Sequence, residues 1–232
     1  MALLGAAALA GCTTTQHEAQ RERLDSARLR AALEPTRVTV ANTTVTPTSI
    51  AEVGADGRAA FIVKVRNGGH RAVTDLPISI GYTTRDGATT YLNSGANLNY
   101  FEAHLPAIRA GGTLTWVYTA ARKLPAHARI FARVGLRRVA PALLTEPNVD
   151  IGLSYLYDEA ENSLKVRLNN QTSVPQYQLQ VYATAERGGH YVGAADATVM
   201  NLGAGTRQRL RLALVGDPGT QLHVQAIPTI LQ

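Results

Sequence analysis

Hydrophobic and polar residues follow different patterns before and after Pro35. Residues 1–11 are apolar or very small, and residues 13–34 are polar or charged, with Ala, Leu, Arg and Glu in proportions that favour helix. From Arg37 onward, Val, Ile, Thr and Tyr alternate with polar residues, and Gly, Asn, Asp and Pro interrupt the runs. Alternation with a period of two predicts strands buried on one face. The chain is therefore predicted to be all-β after residue 35.

The alternation predicts six strands in the first half, with Asp56-Gly57 and Asp86-Gly87 as turns that tolerate positive φ. A final strand is not evident in either half. Trp116, with Leu114 and Tyr118 on the same strand face, is interpreted as a core residue. Residues 94–104 are predicted to form a long loop. The predicted strands are Arg37–Val45, Arg58–Asn67, Leu76–Thr83, Thr89–Asn93, Thr113–Ala121 and Ala128–Leu136.

The second half of the chain repeats the first. Val63-Lys64-Val65-Arg66 aligns with Leu164-Lys165-Val166-Arg167, and residues 80–87 align with residues 181–188 at the same spacing. Two similar units placed end to end indicate a duplication. We therefore expect a first β-sandwich over residues 36–141, a linker at 142–147 and a second β-sandwich over 148–232.

Three segments of the first half carry a resemblance: a strand ending in Asn-Gly-Gly, a hydrophobic strand entering an Asp-Gly turn, and Ala-Gly-Gly-Thr before an aromatic strand. These segments are Val65–Gly69, Ile78–Gly87 and Ile108–Tyr118. They resemble the fibronectin-III-like and CARDB-like sandwiches of bacterial surface proteins. The resemblance implies tandem immunoglobulin-like sandwiches and leaves activity open, because one fold hosts many functions.

The sole cysteine, Cys12, follows Leu9, Ala10 and Gly11. Leu-Ala-Gly-Cys resembles the recognition motif of bacterial lipoprotein precursors, although no Lys or Arg precedes it as in a typical signal peptide. The resemblance implies that residues 1–11 are a signal peptide, that signal peptidase reads Leu9, Ala10 and Gly11, and that Cys12 becomes an acylated (palmitate-bearing) N-terminus. The membrane would then be a partner through this lipid anchor.

Residues 12–35 are expected to form the lipidated N-terminus and a tether, which is either extended or helical. The apolar run before Cys12 is shorter than the ~20 residues that a spanning helix needs. Thr13, which is not Asp, implies by the same resemblance an outer-membrane location in a Gram-negative cell. In a cell with one membrane, the anchor would lie on the outer face of the plasma membrane.

Arginines that alternate along a predicted strand are the strongest indication of a binding surface in the sequence. Arg207, Arg209 and Arg211 fall on one face of a predicted strand, and Lys165 and Arg167 fall on one face of another. If these strands share a sheet, as in a fibronectin-III-like sandwich, five cations share one outer surface. Same-face neighbours lie about 7 Å apart, within a Debye length of about 8 Å, so their fields add.

Two interpretations of these cations stay open. Charged outer faces keep sheets soluble and prevent edge pairing. Alternatively, the cations bind anionic lipid or an anionic envelope polymer, which agrees with 23 Lys and Arg against 17 Asp and Glu. Weaker versions occur in the first half, at Lys64 and Arg66 and at Arg129, Arg133 and Arg137. Nucleic acid is not expected as a partner, because the predicted compartment lies outside the cytoplasm.

No catalytic pattern stands out, so we expect no enzyme, no cofactor and no metal. The six histidines have no ligand-type spacing, and the nucleotide-binding and serine-hydrolase motifs are missing. The acidic cluster of Asp150, Asp158, Glu159 and Glu161 lacks the spacing of a calcium loop and is interpreted as a solvated turn. The sequence predicts a non-catalytic envelope lipoprotein that presents two immunoglobulin-like domains for binding or adhesion. The alternative is a structural subunit of an envelope-associated protein assembly.

Overall fold

A computed structural model describes residues 37–95, 98–121, 124–136, 151–173 and 175–228, together with Glu22 and Ser26, which are both helical. The predicted signal peptide, the lipidation motif and the linker at 142–147 lie outside the described residues. Antiparallel strands dominate the described ranges, as the alternation predicted.

The first half contains seven described strands and a 3-10 helix at Tyr100–Glu102. One sheet has the order β1-β2-β6, and in the other β3 pairs with β4, β5 and β7. The strands are β1 (Val45–Ala55), β2 (Arg58–Asn67), β3 (Leu76–Thr83), β4 (Thr89–Tyr91), β5 (His104–Leu105), β6 (Thr113–Ala120) and β7 (Arg129–Val134).

The core of the first sandwich lies between these two sheets. Val63 pairs with Trp116 across the β2–β6 ladder, and Trp116 is fully buried. The Trp116 ring stacks near that of Tyr118 and donates a hydrogen bond from Nε1 to the carbonyl of Phe101 at 3.1 Å. The interpretation of Trp116 as a core residue is confirmed.

Two predictions for the first half are wrong in detail. Residues 37–44 do not form a strand, because the side chain of Asn42 accepts hydrogen bonds from the N–H groups of Thr44 and Val45 and turns the chain. The strand begins instead at Val45. The predicted loop at 94–104 contains the 3-10 helix, whose Tyr100 and Phe101 are buried.

The second half contains seven described strands and a 3-10 helix at Glu159–Glu161. Its sheets have the orders β12-β9-β8 and β13-β11-β10-β14. The strands are β8 (Ile151–Asp158), β9 (Ser163–Asn170), β10 (Gln176–Arg187), β11 (His190–Leu202), β12 (Arg207–Ala213), β13 (Val215–Gly216) and β14 (Gln221–Ile227). β7 corresponds to the predicted strand Ala128–Leu136, and β14 is the final strand of the second half, which the sequence did not reveal.

The repeat is visible in the ladders. Asn67 ends β2 and Asn170 ends β9, and both side chains are fully buried. Each Nδ2 donates to backbone carbonyls, of Arg71 and Arg109 in the first case and of Leu202 and Gly203 in the second. The backbone N–H of each donates to the turn before the next strand of its sheet, β6 or β12. The ladders therefore align Lys64 with Arg167, two residues further along than the sequence match.

The two sandwiches pack against each other face to face. Phe61 and Val63 point into the first core, whereas Ala60 and Ile62 lie on the opposite face of β2 and are equally buried. Tyr182, Ala194 and Val215, from β10, β11 and β13, belong to the same hydrophobic cluster as β2 and β6. The other face of β10 and β11 covers the second core, against β9 and β12.

Four sheets are therefore stacked in one order. The β3 sheet is outermost, the β2 and β10 sheets meet in the middle, and the β9 sheet is outermost on the other side. Because the inner sheets are covered on both faces, the outward faces of the β3 and β9 sheets point away from each other.

Candidate functional site: two outward basic faces

The five predicted cations lie together on the outward face of the β9 sheet. In the β9–β12 ladder, Arg209 is directly opposite Arg167, and Arg211 is directly opposite Lys165. Arg207 lies two residues before Arg209 on the same face. All five residues are exposed, while Leu164, Val166 and Leu168 point into the core. We call Lys165, Arg167, Arg207, Arg209 and Arg211 the β9–β12 face.

Two of these cations have carboxylate partners. Lys165 Nζ lies 2.6 Å from a carboxylate oxygen of Asp158, and Arg211 forms an ion pair with Glu161. The hydrogen bond from Lys165 is the main reason that the pKa of Asp158 is lowered from its usual value. Two members of the predicted acidic turn thus neutralise part of this face.

Arg167, Arg207 and Arg209 have no carboxylate partner among the described residues. Like charges directly opposite each other on neighbouring strands destabilise a sheet. Arg167 and Arg209 occupy such a pair. A bound anion would remove this repulsion, and guanidinium groups bind carboxylates and phosphates through two parallel hydrogen bonds.

The β9–β12 face is bounded by exposed apolar surface. Leu156 pairs with Lys165 across the β8–β9 ladder and is 68% exposed. A shallow depression beside it is lined by Leu156, Tyr157, Asp158, Glu159, Ala160 and Lys165. β8 and β12 are the edge strands of this three-stranded sheet.

The equivalent face of the first sandwich is covered. By the ladder alignment, Ile62 corresponds to Lys165 and Val117 corresponds to Arg211, and both apolar residues are buried. Lys64, predicted on an outer face, instead points toward the second sandwich. Its Nζ lies 5.4 Å from the ring centre of Tyr191, and a hydrogen bond with Tyr191 is the main cause of its raised pKa.

The outward face of the β3 sheet carries a second basic group. Arg129 and Arg133 are exposed on β7, as predicted, while Arg137 lies outside the described residues. Arg133 Cζ lies 5.0 Å from the ring centre of Phe131, which packs edge-on against Tyr91 at 5.6 Å. We call Arg37, Tyr91, Arg129, Phe131 and Arg133 the β3–β7 face.

Aromatic rings hold arginine side chains of the β3–β7 face in place. Arg37 Cζ lies 5.5 Å from the ring centre of Tyr91. A Cβ at Gly81 would lie 2.7 Å from the Phe131 ring, so only glycine lets this ring lie on β3. A guanidinium held over an aromatic ring keeps its N–H edge available to an anion.

The surface between the sandwiches contains a buried acid. Asp196 lies opposite Tyr182 in the β10–β11 ladder, and Asp196 Oδ1 and Tyr182 Oη are buried without a hydrogen-bond partner among the described residues. Burial raises the pKa of Asp196 to about 6, with a smaller contribution from the charge of Glu102, while hydrogen bonds from Thr119 and the charge of Arg58 oppose the rise. Burial also raises the pKa of Tyr182 well above its usual value.

The described residues contain no group of three or more His, Cys, Asp or Glu side chains placed to hold a metal ion. Among the same residues, no helix has the length and apolar character needed to cross a membrane. The structure does present two basic faces, whose guanidinium groups are of a kind that can bind carboxylates and phosphates.

The sequence predicted the β9–β12 face but missed the covered surface between the sandwiches. The signal for that surface is the unbroken apolar run Ala59–Val63, since a strand buried on both faces has no polar alternation. β10 gives no such signal, because its buried residues include Gln178, Gln180 and Thr184. No protein-family model matches the chain, and a search of curated proteins finds no significant match.

Proposed function

We propose that the chain is a non-catalytic, lipid-anchored protein of the bacterial cell envelope that binds an anionic envelope component through the β9–β12 face. The observation that carries the binding proposal is the register of β9 and β12. It places Arg209 opposite Arg167 and Arg211 opposite Lys165 on a sheet face that the other sandwich does not cover. Such an array attracts polyanions and raises their association rate.

The lipid anchor is supported by the sequence motif at Cys12. Several acyl chains hold a protein stably on a bilayer, since each buried methylene contributes about 0.8 kcal/mol. Mass spectrometry of the native protein is expected to find that residues 1–11 are removed and that Cys12 is acylated. An unmodified Met1 N-terminus on native protein in the soluble fraction would contradict the anchor.

Binding by the β9–β12 face is tested with purified lipopolysaccharide and with a glycerol-phosphate teichoic acid. Arg167, Arg207 and Arg209, the three cations without carboxylate partners, are replaced by Gln in one variant. We expect at least tenfold weaker binding and a weaker dependence of affinity on salt, because fewer charges are screened.

A matched control removes the same charge elsewhere. Arg71, Arg85 and Arg109 are exposed and lie outside the β9–β12 face. Their replacement by Gln is expected to weaken binding far less. Equal losses in the two variants would show a net-charge effect and would contradict a specific face.

A structural subunit of an envelope-associated assembly is the second candidate. The observation that favours it is that the equivalent face of the first sandwich is covered by another sandwich. A protein partner could cover the β9–β12 face in the same way. Co-purification of one stoichiometric protein partner, lost when Arg167, Arg207 and Arg209 are replaced, would favour this candidate over a polymer.

A further inference from the structure

The registers of β8, β9 and β12 fix which side chains lie together on the outward face of the β9 sheet. Residues directly opposite each other on neighbouring strands point to the same side of a sheet. Neighbouring strands lie about 4.8 Å apart, and same-face residues along a strand lie about 7 Å apart, so successive rows form one continuous surface. The rows across β8, β9 and β12 are Gly152, Asn169 and Arg207, then Ser154, Arg167 and Arg209, then Leu156, Lys165 and Arg211.

The two ends of this surface differ in charge. At one end, the carboxylates of Asp158 and Glu161 pair with Lys165 and Arg211, so that the charges there cancel. The cations at the other end have no carboxylate partner among the described residues. The uncompensated positive charge of the β9–β12 face is therefore concentrated at Arg167, Arg207 and Arg209.

Neutral polar side chains lie beside these three arginines. Ser154 and Asn169 share rows with them. A Cβ at Gly152 would lie 3.0 Å from Nε2 of Gln171 and 3.4 Å from Cβ of Asn169, so the glycine leaves room for the Gln171 amide on this face. The side chains of Ser154, Asn169 and Gln171 are not fully buried and form no hydrogen bond with another described residue.

This combination of groups suits an anion that is joined to several hydroxyl groups. Guanidinium groups only donate hydrogen bonds, and they hold a carboxylate or a phosphate through two parallel bonds. Amide and hydroxyl side chains both donate and accept, which is what the hydroxyl groups of a sugar require. A polyanion without hydroxyl groups would occupy the arginines and make little use of Ser154, Asn169 and Gln171.

We propose that the ligand of the β9–β12 face is an anionic sugar unit of an envelope glycan. Its carboxylate or phosphate lies on Arg167 and Arg209, and its hydroxyl groups bond to Ser154, Asn169 and Gln171. This inference rests on the proposed function and narrows the ligand from an anionic envelope component to a glycan that carries its charge on a sugar.

Two probes with the same number of carboxylates separate the sugar from the charge. Oligogalacturonate carries one carboxylate on each sugar, whereas polyacrylate has no hydroxyl group. Binding of each probe to the full chain with Cys12→Ser is measured by isothermal titration calorimetry at one salt concentration. A phosphorylated mannose oligosaccharide is the third probe, and the tighter of the two sugar probes identifies the anionic group.

An alanine variant removes the neutral polar groups and leaves every charge in place. Replacement of Ser154, Asn169 and Gln171 by Ala is expected to weaken oligogalacturonate binding about tenfold, because hydrogen bonds to the sugar are lost. Polyacrylate binding is expected to change by no more than about twofold, because the charge of the surface is unchanged. Arg167→Gln with Arg209→Gln is expected to weaken the binding of both probes by about tenfold or more.

Matched controls exist for both variants. Ser49→Ala with Asn201→Ala and Gln221→Ala changes the same residue types at exposed positions outside the β9 sheet, and is expected to leave both affinities unchanged. Lys165→Gln with Arg211→Gln removes the same charge as the arginine variant. It is expected to weaken binding less, because the N–H groups of these two cations already bond to carboxylates.

The outcomes separate the sugar proposal from the proposed function. Fluorescence of the sole tryptophan, Trp116, during thermal unfolding checks that each variant is folded. Equal losses for oligogalacturonate and polyacrylate in the alanine variant, or a loss for neither, would overturn the sugar proposal. Binding that still depends on Arg167 and Arg209 would then leave the proposed function intact, whereas no binding of any probe would contradict both.

Discussion

The two sandwiches contain equivalent sheet faces. The face on the first sandwich is covered by the second sandwich, whereas the equivalent face on the second sandwich is uncovered. Where the face is covered, its central positions are Ile62 on β2 and Thr115 and Val117 on β6. Where it is uncovered, the corresponding positions are Lys165, Arg209 and Arg211. Since the backbone ladders are alike, the difference lies in the side chains. Apolar and small side chains make one face a packing surface, and cationic side chains make the other a charged surface.

The charges of the β9–β12 face oppose the packing of another sheet on it. Such packing would bury Lys165, Arg209 and Arg211, and removing charges from water is costly even where they are paired. Both outward faces are basic, so two copies of the chain also repel each other when stacked end to end. The charges that oppose self-association also suit the proposed binding of anions.

Placing cations on the covered face is expected to cause the largest loss of stability. Ile62→Lys with Val117→Arg introduces the residues found at Lys165 and Arg211 into the surface between the sandwiches. Two charges buried without partners are expected to lower the free energy of unfolding by about 4 kcal/mol or more, measured by urea denaturation.

The reciprocal change is the control. Lys165→Ile with Arg211→Val lies on an exposed face, where substitutions change stability by about 1 kcal/mol or less. It is expected to promote self-association in analytical ultracentrifugation. Similar stability losses in both double variants would contradict the division into covered and uncovered faces.

The two cores differ at another pair of equivalent positions. Trp116 is fully buried and hydrogen-bonded, whereas its counterpart Leu210 on β12 is only partly buried. Trp116→Ala is expected to cost about 4 kcal/mol and Leu210→Ala about 2 kcal/mol in urea denaturation. Equal losses would show that the second core depends on β12 as strongly as the first depends on β6.

Asp196 makes the covered surface sensitive to pH. The pKa of Asp196 is raised to about 6 in the folded chain, so the folded state favours the protonated carboxyl. The free energy of unfolding therefore falls as the pH rises from about 4 through 6 and the carboxyl must ionise. Asp196→Asn keeps an acceptor for Thr119 and carries no charge. The variant is expected to match the parent near pH 4 and to be more stable by about 3 kcal/mol at pH 8.

Urea denaturation of both proteins between pH 4 and pH 8 measures this difference. Thr184→Val, on the same face of β10 two residues after Tyr182, is the control for a neutral change nearby. A constant difference between parent and Asp196→Asn across this pH range would contradict the buried carboxylate.

The smallest expected effect comes from raising the net positive charge of the uncovered face. Asp158→Asn with Glu161→Gln removes the partners of Lys165 and Arg211 and leaves all five cations without carboxylates. Polymer affinity is expected to rise about threefold, because the attraction between an anion and a surface grows with the net positive charge. Asp217→Asn, which frees Arg187 away from this face, is expected to change affinity less.

The sequence was sufficient for the parts of the fold that alternate cleanly between turn residues. β2 and β3 have the predicted bounds, and the turn at Asp56 and Gly57 has the positive φ values that Asp-Gly allows. β1 was missed because residues 45–55 mix Pro, Gly and polar residues and bury few side chains. Polar and apolar residues alternate over 37–45 as in a strand, but hydrogen bonds to the Asn42 side chain turn the chain there.

The β9–β12 face was predictable because both of its strands alternate and pair in one sheet. The contact between the sandwiches was not, since which sheet of one unit faces the other depends on long-range packing. The β3–β7 face was only partly predictable, because Arg129 and Arg133 alternate on one strand. Arg37 and Tyr91 join them through contacts between residues distant in the sequence.

The most direct test of the account locates the polyanion on the folded protein. Backbone amide chemical shifts of the full chain with Cys12→Ser are measured by NMR during titration with soluble polyglycerol phosphate. We predict that the changes concentrate on β9 and β12, around Arg167, Arg207 and Arg209, and disappear in high salt. Changes that are absent from these strands, or that concentrate elsewhere on the chain, would contradict the claim that this face binds the anionic component.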